Sequence, residues 1–494
     1  MTLQSWQQRA ASVAFDGRAV INGERVEIDA TETIDIVSPR DGRRLQTLGR
    51  GSAADAARAV AAARSSFDAG HWRGLSPLIR KSILFGYAAA IEKETESLAL
   101  LDCLEMGKPI NQALGDVVGC AHIIRYFAEW ADKIHGDSAP PMTGAIHFNR
   151  REPRGVVAGI VPWNYPLPNA ALKIGPALAA GNSIVLKPSE WSPSSALRLA
   201  EIAIGAGIPP GVLNVLPGAG ATVGSALAAH ESVDLIAFTG STGTGRTLAR
   251  LAADRMTALQ LECGGKSANV VFDDLPDLDV VADDVAQRIF TNQGQLCVAG
   301  TRLIVHENRK AQLVDAVRRR AEALAIGDPL DPATAFGPLA SSARAESISR
   351  AIHAALEAGA TAVSGGPRSS RGGAYLDPTI LDDVRVDMAV AQQDLFGPVL
   401  SVMSFSTIEE AIALANSTPF GLTATVWTRD LNAAGTMVDR LAAGRITVLA
   451  ASPSPIAATV PLASEPFGQS GKGAEAGREG FEMYTRLKAV ELHY

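Results

Sequence analysis

The sequence predicts an α/β protein with two parallel-sheet domains, and three observations support this class. From residue 155 onward, short apolar runs alternate with helical segments. The apolar runs lack a polar face, as buried parallel strands do. Glycine, proline and asparagine separate the segments. In the first series we expect strands at 156–161, 183–186, 213–216 and 235–238, and helices at 169–180, 195–206, 222–230 and 243–253.

A second α/β series follows the pair of glycines at 264–265. We expect strands at 269–272, 302–306, 379–380 and 399–405, and helices at 278–290, 310–325 and 341–359. Before the first series, residues 20–24 predict a hairpin, and Ser52 is placed to cap a helix that starts at residue 53. The predicted domains are 1–135 with 152–263, then 264–470, and an arm formed by 136–151 with 480–494.

Composition excludes several classes of protein. The 494 residues are 47% hydrophobic and 20% charged, with a formal charge of −7, so we expect no nucleic-acid partner. No apolar run is long enough to span a membrane, and the N-terminus lacks the pattern of a signal peptide. The four cysteines show neither disulfide nor metal-ligand spacing, so we expect no metal site and a cytoplasmic location.

One cysteine, Cys297, lies in a polar, glycine-punctuated stretch between a predicted helix and a predicted strand. A structural cysteine usually lies among aliphatic residues, where burial makes it unreactive. Amide side chains and glycines surround Cys297 instead, so it is a candidate nucleophile. A structural role is the alternative that the local sequence leaves open.

Other polar side chains stand where predicted strands end. Asn164 follows the first strand of the first series and is placed to donate its amide N–H to a developing oxyanion, or else it is a turn residue. Lys187 and Glu190 end the next strand, where they suit ribose hydroxyls or form a surface pair. Glu262 lies between an apolar run and two glycines, a setting for a general base or for a carboxylate with a structural partner.

A glycine-rich turn at 238–245 connects a predicted strand to a predicted helix. Its backbone N–H groups and the helix N-terminus suit a pyrophosphate. Such turns are common, and no GxGxxG motif follows the first strand of the series, so this signal alone does not establish dinucleotide binding.

Taken together, these motifs resemble those of the NAD(P)-dependent aldehyde dehydrogenase superfamily, and the resemblance extends over nearly the whole chain. The matching segments are Pro162-Trp-Asn-Tyr-Pro166, Lys187-Pro-Ser-Glu190, Phe238-Thr-Gly-Ser-Thr242, Leu261-Glu-Cys-Gly-Gly-Lys266, Asn292-Gln-Gly-Gln-Leu-Cys297, Phe396-Gly-Pro398, Phe420-Gly-Leu422 and Pro466-Phe-Gly468. Residues 6–7, 21–24 and 328–332 also look like the branch that contains γ-glutamyl-γ-aminobutyraldehyde and other ω-aminoaldehyde dehydrogenases.

The resemblance implies two Rossmann-like domains, for cofactor and catalysis, and a small β oligomerisation arm. It implies oxidation of an aldehyde, aliphatic or ω-amino, to the acid through a thiohemiacetal and a thioester on Cys297. Asn164 and the Cys297 N–H would form the oxyanion hole, and Glu262 would activate the hydrolytic water, with Lys173 and Glu475 as a proton relay. The implied cofactor contacts are Trp163, Lys187, Glu190, Gly240, Ser241, Asp394 and Phe396, and the implied substrate pocket is Tyr165, Leu172, Leu296, Val298 and Phe467.

Several residues depart from the family pattern. Asp394 stands where a glutamate is usual, and its shorter side chain predicts looser positioning of the nicotinamide. Leu172 replaces a tryptophan that many relatives carry, and the segment 450–464, which would line the aldehyde channel, is rich in Ala, Ser and Pro. Glu190 predicts NAD⁺ rather than NADP⁺, since its charge repels a 2′-phosphate.

Two alternatives to this hydrolytic enzyme remain at this point. One is a CoA-acylating variant, against which the water-activating Glu262 speaks. The other is a catalytically silent binding or structural protein, against which the complete set of Cys297, Asn164 and Glu262 speaks. The resemblance further implies a homodimer or homotetramer.

Overall fold

The computed structural model describes residues 1–275, 277–454 and 461–494. Part of the segment 450–464, which the sequence analysis assigned to the aldehyde channel, therefore lies outside the described residues. Among the helices that are described, none combines the length and apolar character required to cross a membrane.

The helices follow the predicted positions closely, with Ser52 capping α2 through the Asp55 N–H as expected. Helix α6 starts earlier than predicted, at Pro166, because proline is well tolerated in a first helical turn. The predicted helix at 222–230 instead begins with a π-helical turn, Gly220–Gly224. The helices are α1 Leu3–Ser12, α2 Ala53–Ala69, α3 Pro77–Lys93, α4 Thr95–Met106, α5 Ile110–Trp130, α6 Pro166–Ala180, α7 Ser194–Gly205, α8 Ser225–Ala229, α9 Thr242–Ala253, α10 Leu278–Phe290, α11 Glu307–Glu322, α12 Ser342–Glu357, α13 Ala389–Gln392, α14 Ile408–Ala415, α15 Leu431–Arg440 and α16 Gly477–Glu482.

The strands include the predicted N-terminal hairpin, whose turn residues Asn22 and Gly23 both have positive φ, as a tight hairpin turn requires. The strands are β1 Ala19–Ile21, β2 Glu24–Val26, β3 Thr33–Val37, β4 Arg44–Gly49, β5 Ala145–Pro153, β6 Val156–Ile160, β7 Ser183–Lys187, β8 Leu213–Val215, β9 Leu235–Thr239, β10 Ala258–Glu262, β11 Ala268–Val271, β12 Arg302–His306, β13 Thr361–Ser364, β14 Thr379–Asp382, β15 Val399–Phe405, β16 Phe420–Gly421, β17 Thr423–Trp427, β18 Arg445–Leu449, β19 Phe467–Gly468, β20 Gly471–Lys472 and β21 Thr485–His493.

The first sheet has eight strands in the order β2-β1-β8-β7-β6-β9-β10-β20. Strands β6 to β10 run parallel, and antiparallel strands close both edges. The chain passes from β6 to β7 and β8 in one direction and then returns to place β9 on the other side of β6. This reversal creates a crevice at the carboxyl ends of β6 and β9, the place where such sheets bind ligands.

The second sheet has seven strands in the order β13-β14-β15-β12-β11-β17-β18, parallel except at β13. Together the two sheets confirm the predicted α/β class. Strands β5 and β21 pair antiparallel over nine residues as a separate two-stranded arm, with both strands supplied by the same chain. The domain bounds inferred from the sequence stay predictions.

Apolar side chains cover both faces of the first sheet. Along β7, Ile184 and Leu186 pack into the core cluster beneath α5 and α6, whereas Val185 packs into the cluster on the opposite face. This alternation follows from the two-residue period of a strand. Burial on both faces explains why the strand has no polar side in the sequence.

A buried arginine joins the second sheet to the loop after β10. Arg302, the first residue of β12, is 2% exposed. Its guanidinium donates to the Lys266 carbonyl at 2.9 Å and to the Leu414 and Ala415 carbonyls at the end of α14, both at 2.8 Å. Burial lowers the pKa of Arg302 to about 10, so the side chain stays charged at neutral pH.

We expect Arg302→Met to lower the free energy of unfolding by about 3 kcal/mol or more, because three carbonyls would lose their donor and each such loss costs about 1–3 kcal/mol. Urea unfolding followed by tryptophan fluorescence measures the change. The matched control is Arg385→Met, since Arg385 is exposed and donates to the Ala358 carbonyl, and we expect it to change stability by less than about 0.5 kcal/mol. Equal effects of the two substitutions would contradict the assigned role of Arg302.

Candidate active site

The carboxyl ends of three neighbouring strands bring the predicted motifs of the first sheet together. In register, Ile160 of β6 lies beside Lys187 of β7 on one side and Phe238 of β9 on the other. The segments that follow these strands therefore share one edge of the sheet. Asn164 and the glycine-rich turn after β9 consequently flank the crevice at the strand reversal.

The cysteine loop leaves α10 through a strained turn. Asn292, Gln293 and Gly294 have φ values of 49°, 58° and 69°, in the left-handed region that glycine favours. Two consecutive non-glycine residues in this region cost free energy that surrounding contacts must offset. A Cβ on Gly294 would lie 2.3 Å from the Gly397 carbonyl oxygen, so only glycine allows this packing.

Hydrogen bonds connect the cysteine loop to Asn164. The Asn164 amide donates to the Gln295 carbonyl at 2.9 Å, and the Asn292 amide donates to the Asn164 carbonyl at 3.0 Å. The Gln295 side-chain oxygen accepts the Ala340 N–H at 2.9 Å. An amide nitrogen carries two N–H groups, so Asn164 keeps a second donor for a ligand oxygen.

Cys297 is half-buried where the cysteine loop meets the turn after β10, a region that we call the recess. Burial, followed by the charges of Glu262, Glu475 and Asp394, raises the pKa of the Cys297 thiol to about 12. A Cβ on Gly265 would lie 2.1 Å from the Cys297 carbonyl oxygen, so the turn after β10 packs directly against the cysteine backbone. The charge of Glu262 therefore reaches the thiol, and Asn164 bonds to the loop that carries it, while the catalytic roles of the three residues stay predictions.

Glu262 ends β10 with little exposure, and its Oε1 has no hydrogen-bond partner among the described residues. Burial and then the charge of Glu475 raise the pKa of Glu262 well above its ordinary value. Lys173, which is fully buried in α6, forms an ion pair with Glu475. The Glu262 carboxylate is therefore a strong base, and the Lys173–Glu475 ion pair is a neighbouring group that can exchange protons.

Asp394, the shorter replacement for glutamate, bonds to the backbone on both sides of the recess. Its Oδ2 accepts the Gly265 N–H and its Oδ1 accepts the Phe396 N–H, both at 3.2 Å. Burial raises the pKa of this carboxyl, and the nearby Lys266 opposes the change. In this arrangement Asp394 holds the turn after β10 against the turn that contains Phe396.

The residues expected at the cofactor form a cradle at the strand reversal. Ser241 caps α9 by accepting the Thr244 N–H at 3.2 Å, and a Cβ on Gly243 would meet no atom within 4 Å, which leaves open space at the helix N-terminus. A Cβ on Gly240 would lie 2.4 Å from the Phe238 ring. The buried Thr239 hydroxyl has no partner among the described residues. An open helix N-terminus and an unpartnered hydroxyl fit a dinucleotide phosphate.

Lys187 and Glu190 lie together beside this cradle. The Lys187 ammonium is 3.3 Å from a Glu190 carboxylate oxygen and donates to the Pro188 carbonyl at 2.9 Å. Burial lowers the pKa of Lys187, and the Glu190 charge opposes that change. Glu190 keeps 30% of its side chain exposed, so it is available to a ligand hydroxyl.

An aromatic cluster that the sequence analysis missed supports Trp163 and Phe396. The Trp163 ring lies 5.4 Å from the Trp191 ring and 5.6 Å from the Phe396 ring. Arg344 stacks on both Trp163 and Phe396, and it donates to the Leu395 and Phe396 carbonyls. Trp191 directly follows Glu190, so its position beside a motif was an available signal. Arg344 had none.

The predicted substrate residues differ in their burial. Tyr165, Leu172, Leu296 and Val298 are each partly buried, whereas Phe467 is 49% exposed and sits on the short strand β19. The roles of all five stay predictions.

Beneath Tyr165 lies a charged pair that the sequence analysis also missed. Lys108 is fully buried, forms an ion pair with Asp116 of α5, and places its ammonium 3.4 Å from the Tyr165 ring centroid. Such a cation–π contact fixes the plane of the ring.

The family model for aldehyde dehydrogenases matches residues 26–490. The NADP/NAD-dependent aldehyde dehydrogenase PuuC of Escherichia coli is 43% identical over 490 residues, with 99% of this chain and 98% of PuuC covered.

Two solved structures cover all of this chain and are fully covered by it. Indole-3-acetaldehyde dehydrogenase AldA of P. syringae, in complex with NAD⁺ and IAA, has a TM-score of 0.97 and 44% identity. The γ-glutamyl-γ-aminobutyraldehyde dehydrogenase of Burkholderia cenocepacia has a TM-score of 0.96 and 42% identity. Matched over almost its whole length, the chain belongs to the aldehyde dehydrogenase family.

Proposed function

We propose that the protein oxidises an aldehyde to the carboxylic acid with NAD⁺ and water. The observation that carries this proposal is the gathering of Cys297, Asn164 and Glu262 around one recess beside the strand reversal of the first sheet. Each of the three supplies a group that the reaction requires: a nucleophile, an oxyanion donor and a base.

Cys297 starts the reaction as the nucleophile. Its raised pKa means that the free thiol is protonated at neutral pH, so attack requires a base. The thiol is only half-buried, so water accepts its proton, and Glu262 acts as a base only in the later hydrolysis. The sulfur then bonds to the aldehyde carbon, and the carbonyl oxygen accepts a hydrogen bond from the free Asn164 N–H.

Bound NAD⁺ supplies the acceptor for the hydride that converts the thiohemiacetal to a thioester. The residues that would hold it are Trp163, Lys187, Glu190, Gly240, Ser241 and Phe396. Asp394 already accepts two backbone N–H groups, so its main role is to hold the turn after β10 against the turn that contains Phe396.

Hydrolysis of the thioester requires Glu262 as a base. Because the pKa of Glu262 is raised, the carboxyl first passes its own proton toward the Lys173–Glu475 ion pair, which leaves the carboxylate free to take a proton from water. The water oxygen bonds to the thioester carbon, the carbon–sulfur bond breaks, and the acid leaves as the sulfur regains a proton. This use of Glu262 distinguishes acid formation from transfer to CoA.

For the substrate, we propose an aldehyde with an alkyl segment next to its carbonyl carbon, as in aliphatic and ω-amino aldehydes. Tyr165, Leu172, Leu296 and Val298 supply apolar surface without charge. The solved relative from B. cenocepacia, named for an aminoaldehyde, supports this class.

We further propose a homodimer or homotetramer in the cytoplasm. Two strands alone form a marginal unit. The arm leaves Ile146, Leu487 and Leu492 about half exposed, which supports burial against another subunit. All four cysteines are free thiols, as suits a reducing compartment.

We expect Cys297→Ala to lower acid formation by at least about 10³-fold, because it removes the atom that bonds to the substrate. Glu262→Gln should keep a rapid burst of reduced cofactor and lower steady-state turnover by about 10²–10⁴-fold, since only deacylation then lacks its base. Stopped-flow absorbance of reduced nicotinamide measures both. Equal loss of the burst in the two variants would contradict the separate roles.

The pH dependence gives a second readout of Glu262. Because the pKa of Glu262 is raised, wild-type kcat should decline with falling pH already above the range in which ordinary carboxylates titrate. This decline should be absent in Glu262→Gln.

Replacing Glu190 should change cofactor preference. We expect Glu190→Gln to raise the ratio of kcat/KM for NADP⁺ to that for NAD⁺ by about tenfold, because the variant no longer repels a 2′-phosphate. Initial rates with both cofactors give this ratio. Glu201→Gln is the matched control, since Glu201 pairs with Arg25 and Arg198 in α7, and it should leave the ratio unchanged. An unchanged ratio in Glu190→Gln would exclude this selectivity role.

Removing the cation beneath Tyr165 should alter aldehyde selectivity. We expect the double variant Lys108→Met/Asp116→Leu, which leaves no unpaired charge, to raise KM for a straight-chain aldehyde by about tenfold with a smaller change in kcat. A panel of aliphatic, aromatic and ω-amino aldehydes measures the effect. Lys81→Met, which removes a lysine paired with Asp132 of the chain segment after α5, is the control. Parallel changes in kcat and KM for every aldehyde would contradict a role in selectivity.

A further inference from the structure

The geometry points to a second site, on the arm and built without any residue of the Cys297 site: a site for a divalent transition cation of the Zn²⁺ type, formed by His147, Glu491 and His493. The cysteine spacing predicted no metal site, and His147 is too far along the chain from Glu491 and His493 to form a spacing motif with them. They meet only because β5 and β21 pair.

Strand register places the three side chains on one face. Glu491 stands directly opposite His147, and His493 lies two residues further along β21, so all three point to the same side of the arm. One ligand atom from each lies within 4.8 Å of the other two. His493 Nε2 is 3.7 Å from Glu491 Oε2. A tetrahedral ion about 2 Å from each ligand requires ligand atoms about 3.3 Å apart, so small side-chain rotations complete the site.

A second observation concerns His147 alone. Its Nε2 is enclosed, and it has no hydrogen-bond partner among the described residues. An enclosed polar atom without a partner is costly, and a metal ion would satisfy it. Glu491 and His493 are largely exposed in the single chain, so their ligand atoms are not engaged by its core.

The ligand chemistry favours a borderline transition cation over Ca²⁺ or Mg²⁺. Two imidazoles and one carboxylate form a known Zn²⁺ ligand set, with the fourth position left for water, whereas Ca²⁺ and Mg²⁺ prefer oxygen ligands. His147 belongs to β5, and the other two ligands belong to β21. A bound ion would therefore cross-link the two strands of the arm.

The test uses the full-length protein without an affinity tag and Zn²⁺ as the probe. Isothermal titration should show one saturable site per chain, and His147→Gln and His493→Gln should each weaken it by at least about tenfold. The matched control His353→Gln removes an exposed histidine of α12 and should bind as the wild type does. Cys297→Ser should also keep the site, which shows that the ion is not held by the catalytic thiol.

Hydrogen exchange provides the structural readout. Zn²⁺ should slow exchange of the β21 amides in the wild type and not in His147→Gln. Absence of saturable binding, equal affinity in the histidine variants and the wild type, or loss of binding in Cys297→Ser would each overturn the proposal. These readouts do not depend on aldehyde oxidation, so this site and the proposed function can fail separately.

Discussion

The catalytic recess depends on two places where backbone packs directly against backbone. Gly265 lies against the Cys297 carbonyl, and Gly294 lies against the Gly397 carbonyl, with no room for a Cβ at either position. The Gly265 contact brings the turn after β10 of the first sheet against the cysteine loop of the second, and the Gly294 contact holds that loop against the turn that contains Gly397. Because no side chain separates the loops, the sulfur and the Glu262 carboxyl influence each other's charge although they come from different sheets.

The same close packing sets the chemistry of the site. Burial raises the pKa of both Cys297 and Glu262. Two acids that both favour their protons resist simultaneous ionisation, which suits a reaction in which the thiolate and the carboxylate act in successive steps. The Lys173–Glu475 ion pair adds opposite charges at the edge of the recess. Left-handed Asn292 and Gln293 store strain in the loop that carries the nucleophile.

Features that depend on neighbouring residues could be predicted from the sequence, and features that depend on distant partners could not. Apolar runs such as β7 predicted buried parallel strands, since both faces of that strand pack in the core. The polar, glycine-rich setting of Cys297 and the strand-end position of Glu262 indicated both as candidates from neighbouring residues alone, and their catalytic roles stay predictions. Arg302, Arg344 and the Lys108–Asp116 pair carried no such signal, since their partners are carbonyls or rings brought close only by folding.

The crossing of the C-terminal segment back to the first sheet has a consequence for biosynthesis. Strand β20 pairs with β10 beside Glu262, and Glu475 follows it directly. A ribosome-bound chain that has not yet released residues 471–475 lacks the strand beside Glu262 and the counter-charge of Lys173. The parallel strands of both sheets precede these residues and can form earlier, since domains fold as units during synthesis. The emerging polypeptide therefore completes its set of catalytic groups only when residues 471–475 leave the ribosome.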